Sequence, residues 1–234
     1  AEGPVTDVLV LPCAEFDSIA EAAAAYLQRT GKTAPACAAF GIANPVFGDA
    51  IAMTNHHWKF SVSALRDTLG LHRLVMLNDF AALALALPGL PDSALRQVGT
   101  GERVPNAAIG ILGPGTGMGV SGLLPVGHQN KWLPLAGEGG HVTLAATTDW
   151  EHQVLSHLRA RYGHVSLERV VSGLGLVDLY HAICDIKATG GREIITAAEV
   201  LERANAEPGS SANDAIEMFC AFLGDAAGNL ALTL

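Results

Sequence analysis

Apolar and polar positions along this chain fall into short blocks whose period switches between two and about 3.6. Residues 5 to 11 (V-T-D-V-L-V-L) read as a strand, and residues 16 to 28 set Phe16, Ile19, Ala23, Tyr26 and Leu27 at helical spacing before Gly31 stops the run. The apolar run 37 to 43 ends at Asn44-Pro45, residues 52 to 58 (A-M-T-N-H-H-W) read as short and extended, and a helix is expected over 62 to 69. A buried strand at 74 to 77 then passes into an alanine-leucine helix, Phe80 to Leu87, which Pro88, Gly89 and Pro91 halt. Beyond it, residues 107 to 112 and 120 to 124 flank a glycine turn as two strands of a hairpin. Helical spacing then dominates at 150 to 162, 166 to 171, 174 to 187, 196 to 206 and 211 to 224. Strands alternating with helices predict an α/β fold. The Pro-Gly-Leu-Pro stretch is the best hinge, dividing the chain into residues 1–89 and 90–234.

Composition narrows the function classes. At 234 residues, 50% hydrophobic and 16% charged, the chain can bury a large core. Its mean hydropathy of +0.31 is high, but the apolar excess is spread along the sequence, and Glu217, Asp225 and Asn229 interrupt the most apolar stretch, so no membrane span is expected. No basic segment followed by an apolar one opens the chain. A formal charge of −9 with only 14 scattered Lys and Arg argues against nucleic acid, which needs clustered cations. Cys13, Cys37, Cys184 and Cys220 lack any C-x-x-C and read as buried, reduced thiols of a cytoplasmic protein, with no metal site.

Three segments carry chemistry. The turn G-P-G-T-G-M-G (113 to 119) fits neither G-x-G-x-x-G nor the Walker A pattern. Four alternate glycines let backbone N–H groups converge on an anion, with the Thr116 hydroxyl beside them, although a plain tight hairpin would also accept them. Asn78-Asp79 sits where strand gives way to helix, so Asp79 is either an N-cap or a pocket residue at the carboxyl edge of a sheet. A capping carboxylate can still accept a proton late in a loose phosphoryl transfer. Glu138 and His141 lie among Gly137, Gly139 and Gly140; an acid with a histidine can grip vicinal hydroxyls, and the bland alternative is a solvated loop. Glu168 would ordinarily be a helix-face acid paired with Arg169 or Arg161, and Asn55, His56 and His57 a turn packed by Trp58.

Taken together, A-M-T-N-H-H-W (52 to 58), L-N-D-F (77 to 80), G-P-G-T-G-M-G-V (113 to 120), L-A-G-E-G-G-H-V (135 to 142), S-L-E-R-V-V-S-G (166 to 173) and G-N-L-A-L (228 to 232) resemble the bacterial-type ATP-dependent glucokinases, over almost the whole chain. The resemblance implies a two-domain actin-like (ribonuclease-H-like) sugar kinase fold with a sugar cleft between the domains. It also implies MgATP as donor and glucose as acceptor, giving glucose 6-phosphate, the first step of glycolysis. On it, Asp79 is the general base for the 6-hydroxyl. Asn78, Glu138, His141, Glu168 and, more weakly, Asn55 hold hydroxyls, and Gly115, Thr116 and Gly117 contact phosphate. A homodimer stays open.

The departures are equally specific. The family opens with a D-x-G-G-T turn for phosphate and magnesium, which is lacking here, and closes with a glycine-rich adenosine segment, whereas this chain stops after G-N-L-A-L. The chain therefore reads as the interior of a longer kinase, incomplete at both ends. Its apolar end A-L-T-L reads as a strand without neighbours. Two other readings are a hexose kinase of the related repressor/open-reading-frame/kinase group and a non-catalytic glucose sensor. The first usually carries a cysteine-rich zinc motif soon after the histidine, but the next cysteine here is Cys184. The second is told apart by whether a D-x-G-G-T turn precedes Ala1 in the gene.

Overall fold

A computed structural model describes residues 5–54, 56–127, 131–190 and 193–234. Contacts divide the chain into two units, Ala1–Ala82 and Leu83–Leu234, with the boundary a few residues before the proline hinge.

In the first unit, α1 (Ile19–Thr30) begins where Ser18 accepts the Glu21 N–H and ends at Gly31, whose φ of 64° only glycine adopts cheaply. Strand β1 (Cys37–Ile42) is followed by a short antiparallel pair, β2 (Ala50–Ala52) and β3 (Lys59–Ser61), so the 52 to 58 segment is mostly the turn between strands. Helix α2 (Val62–Thr68), capped by Ser61, leads to β4 (Arg73–Asn78), which pairs in parallel with β1. The register Ile42↔Asn78 ends both strands together, and α3 (Asp79–Ala86) starts at that edge. Ile19, Trp58 and Leu65 form one apolar cluster and Ile42, Ile51 and Met76 another, with Phe40 and Leu74 packing against both.

Residues 5 to 11 form no strand. They have no ladder partner among the described residues: Val8 and Val10 are exposed, while Leu9 and Leu11 line an apolar cavity with Tyr26 and Leu27 of α1. Tyr26 Oη donates to the Asp7 carbonyl at 3.0 Å, so the segment is pinned by side chains instead of a sheet. The thiols also differ from expectation, since Cys184 alone is buried and Cys13, Cys37 and Cys220 are exposed.

The second unit takes in the end of α3 and two short 3₁₀ turns, then forms a meander of β5 (Ile109–Pro114), β6 (Met118–Val126) and β7 (Lys131–Gly137), in spatial order β5-β6-β7. Strand β7 escapes the sequence pattern because Pro134 interrupts it; on an edge strand, whose N–H groups can face away from the ladder, proline is tolerated. Among the described residues five α-helices follow: α4 (Asp149–Tyr162), α5 (Leu167–Val170), α6 (Gly173–Lys187), α7 (Ala197–Ala206) and α8 (Ser211–Thr233). Val154, Leu158, Val170, Leu179, Ile183, Val200 and Phe222 are almost fully buried in one core, each large side chain contributing about 1.5–3 kcal/mol.

Helix α8 runs nine residues beyond the predicted end, and the final A-L-T-L is helical, not a strand. Leu230 and Leu234 lie over the β5–β6 face, where a Cβ on Gly110 would stand 2.8 Å from Leu230 Cδ2. That packing fixes the tail. By length and composition α8 alone among the described helices could cross a membrane, yet Ala212, Ala215, Met218 and Phe222 are buried in the helical core.

Candidate functional site

In the first unit the β4–α3 junction presents Asn78 and Asp79. Asn78 is the cap: its Oδ1 accepts the N–H groups of Phe80 at 3.0 Å and Ala81 at 3.2 Å. Its Nδ2 makes a long contact of 3.5 Å to the Asn44 carbonyl. Asp79 is therefore the first helical residue, not the cap, and its exposed carboxylate shares the Phe80 N–H at 2.9 Å. Asn44 was not singled out from the sequence, although its place in Asn-Pro after an apolar run marked a turn. Its side chain donates to the Ala52 carbonyl at 2.9 Å and accepts the Thr54 N–H at 2.8 Å, tying the β2–β3 turn to the end of β1. Asn55 lies outside the described residues. Beside it the His56 ring meets Trp58 edge-on at 4.5 Å, and Trp58 Nε1 donates to the Phe16 carbonyl.

In the second unit the glycine turn, Glu138, His141 and Glu168 gather around Met118. The β5–β6 register Pro114↔Met118 leaves Gly115, Thr116 and Gly117 as the turn, closed by the Gly115 N–H donating to the Gly117 carbonyl at 2.8 Å. The Gly115 carbonyl accepts the N–H of Gly173, the first residue of α6, at 2.9 Å. The turn thus rests on the positive end of a 15-residue helix. The N–H groups of Thr116 and Gly117 have no acceptor among the described residues, and Gly115 and Thr116 are exposed. Free amides beside a helix N-terminus suit a phosphate, while the bond to Gly173 by itself caps α6 and fits a plain hairpin equally.

Glu168 couples this turn to the acidic cluster. Its Oε2 accepts the Met118 N–H at 2.9 Å, and a Cβ on Gly117 would lie 2.3 Å from that same oxygen. Neither arginine pairs with it: Arg161 bonds Asp178 at 3.2 Å, and Arg169 stacks over the Tyr162 ring at 4.4 Å. The helix-face reading of Glu168 is therefore replaced by a carboxylate turned toward the turn. On the other side of Met118, Gly140 presses against its carbonyl, where an added Cβ would be 2.1 Å from the oxygen. The three glycines of this cluster are thus explained in part by close approach.

Glu138 precedes the 3₁₀ turn Gly139–His141, and the His141 N–H donates to its carbonyl at 3.0 Å. His141 Nε2 stands 3.9 Å from Glu138 Oε2, with both side chains more than half exposed. Such a pair contributes about 0–1 kcal/mol, so both groups remain available to a ligand. After His141 the chain runs antiparallel to the segment before Glu168: the Leu167 N–H donates to the Val142 carbonyl at 2.9 Å, and Thr143 bridges Ser166. That pairing runs the segment after His141 alongside the segment that leads into Glu168, with His141 closing the 3₁₀ turn before the bridge and Glu168 in the first turn of α5 after it. The second unit therefore offers two carboxylates and an imidazole for hydroxyls beside a loop suited to phosphate. Among the described residues no cluster of three His, Cys, Asp or Glu side chains could hold a metal ion.

The fold has a clear relative among solved structures. A glucokinase from an Antarctic psychrotroph matches 95% of this chain with a TM-score of 0.82 and 34% identity, the chain covering 68% of it. Glucokinase of Chromobacterium violaceum is 47% identical over 235 residues, all of this chain, which spans 66% of that protein. The bifunctional protein glk of Paraburkholderia xenovorans is 45% identical across 99% of the chain, which spans 36% of it. The chain thus spans about two thirds of one relative and about a third of the other. The glucokinase family model matches residues 2–234, and with these likenesses to the fold and the sequence, the chain belongs to the glucokinase family.

Proposed function

We propose that the complete protein transfers the γ-phosphoryl group of MgATP to the 6-hydroxyl of glucose in the cytoplasm. The observation that carries this reading is the Glu168 carboxylate, which accepts the Met118 N–H at the glycine turn while the segment before it pairs with the segment after His141, so that groups suited to hydroxyls and a loop suited to phosphate share one unit. Glu138 and Glu168 accept hydrogen bonds from ring hydroxyls, and His141 donates or accepts according to its tautomer. Asp79, exposed in the first turn of α3, accepts the proton of the attacking hydroxyl. In the turn that Gly115 closes, Thr116 and Gly117 offer the nucleotide's phosphates two free N–H groups and one hydroxyl, which fits the anionic end of ATP. Bound MgATP supplies the phosphoryl group and neutralises the charge that develops on it. Magnesium is commonly held by phosphate oxygens with only one or two protein carboxylates, so it needs no dedicated cage.

The test is glucose phosphorylation by the complete protein, followed through NADPH formation with a glucose-6-phosphate dehydrogenase. Asp79→Ala should lower kcat by about 10²–10⁴-fold while glucose affinity stays within a few-fold, because the base acts chiefly in the transition state. Near-normal turnover in Asp79→Ala would overturn the assignment. A wild type that binds glucose without phosphorylating it would make the protein a sensor.

A further inference from the structure

A very short ladder joins the segment after His141 to the segment before Glu168. Two backbone bonds build it, Leu167 N–H to the Val142 carbonyl at 2.9 Å and Leu144 N–H to the Val165 carbonyl at 3.1 Å, around the single Thr143–Ser166 bridge. Each contributes only about 1 kcal/mol net; buried Leu144, Val165 and Leu167 hold the core side of the ladder, and its exposed side depends on side-chain bonds. One side-chain bond crosses the ladder. Thr143 Oγ1 and His164 Nε2 lie 3.0 Å apart, either atom donating according to the tautomer.

His164 is itself anchored. Its backbone N–H donates to the Tyr162 carbonyl at 2.9 Å, at the end of α4, and Gly163 takes a φ of 74° to make the turn. The imidazole therefore reaches from a fixed helix end to the middle of the segment that follows His141. Both Thr143 and His164 are exposed, so the bond adds little to global stability.

We propose that His164 is a positioning residue for the sugar pocket: through Thr143 it holds the segment that follows His141 against the segment that leads into Glu168. This rests on the reading that those two side chains bind glucose. Neither His164 nor Thr143 need touch the sugar, and their effect is on the geometry of the groups that do. Misplacing a binding group by a fraction of an ångström is enough to weaken its hydrogen bonds.

The experiment compares variants of the complete protein by glucose titration calorimetry, steady-state kinetics and thermal unfolding. His164→Ala should raise the Kd and KM for glucose about 3- to 10-fold, the equivalent of one ordinary hydrogen bond, with KM for ATP and the unfolding midpoint nearly unchanged. His164→Gln, whose amide nitrogen reaches the position of Nε2, should restore most of the affinity. Thr143→Val should reproduce the loss, and the double variant should be no worse than either single one. A His164→Ala protein with wild-type glucose affinity overturns the proposal, as do losses that multiply in the double variant. Equal rises in both KM values with a lowered midpoint would also overturn it, marking a purely structural role. A wild type that fails to bind glucose overturns this proposal together with the functional reading, whereas wild-type binding indifferent to His164 overturns this proposal alone.

Discussion

Replacing Gly117 by alanine should impair glucose binding without unfolding the protein. Gly117 does not use a left-handed backbone, so alanine meets no φ penalty there. Its Cβ would instead stand 2.3 Å from Glu168 Oε2 and 3.1 Å from Cδ. To reach van der Waals distance the carboxylate must retreat by about 1 Å or more, which takes the 2.9 Å bond from the Met118 N–H to or past its useful limit. The obstacle is the end of a rotatable side chain, so relief is cheap, and the stability loss should stay near the 1–3 kcal/mol of one buried unsatisfied amide. The binding loss is more specific. If Glu168 accepts a sugar hydroxyl, moving it forfeits a charge-assisted hydrogen bond of about 1.5–3 kcal/mol, or roughly 10- to 150-fold in Kd.

Gly140→Ala supplies the contrast. Its Cβ would lie 2.1 Å from the Met118 carbonyl oxygen, which belongs to the central strand of its sheet and cannot rotate away. Overpacking against backbone should cost about 3 kcal/mol or more. Urea unfolding of both variants, with calorimetric glucose titration in the absence of nucleotide, separates the two effects. Wild-type glucose affinity in Gly117→Ala, or a stability loss as large as that of Gly140→Ala, would refute the reasoning.

Three further outcomes are expected. Glu138→Gln, which keeps shape and removes charge, should weaken glucose binding by about 1–3 kcal/mol in calorimetry, and an unchanged Kd would return Glu138 to a solvated loop. Asn78→Ala should cost about 1 kcal/mol in urea unfolding by uncapping α3, and Asn78→Asp should recover most of that. Glu151 closes the capping box of α4; burial opposes its charge, but the Thr147 N–H, the Thr147 hydroxyl and the Thr148 N–H outweigh it and hold the carboxyl below the usual 4.5. Its lowered folded-state value means stability present above pH 4.5 and lost as pH falls below it, so the gap between wild type and Glu151→Gln should narrow from pH 7 to pH 3.5. An equal gap at both values would exclude that linkage.

What the sequence determined by itself was whatever rests on local rules. Hydrophobic period, with Gly31 as a stop, placed α1, α2, α4, α6 and α7 to within a residue or a few, and the structure adds that Ser18, Ser61, Thr148, Ser172 and Thr196 cap their starts through equally local bonds. The order and spacing of the glycine turn, Glu138, His141 and Glu168 were likewise legible, and so was the family resemblance they carry.

Tertiary structure decided the rest. Residues 5 to 11 have the alternation of a strand, yet a strand requires a neighbouring chain, and pattern alone cannot supply one. Strand β7 was hidden by Pro134, whose tolerance depends on lying at a sheet edge, and the tail of α8 became helical because Leu230 and Leu234 pack over Gly110 and Gly122. At the site, Glu168 was separable from an ordinary helix acid only by its bond to Met118, 50 residues earlier in the chain. The cap passed from Asp79 to Asn78 through hydrogen-bond geometry that one-residue sequence reasoning does not resolve. Local propensities reach a few residues along the chain, whereas each of these outcomes was set by atoms that only folding brings together.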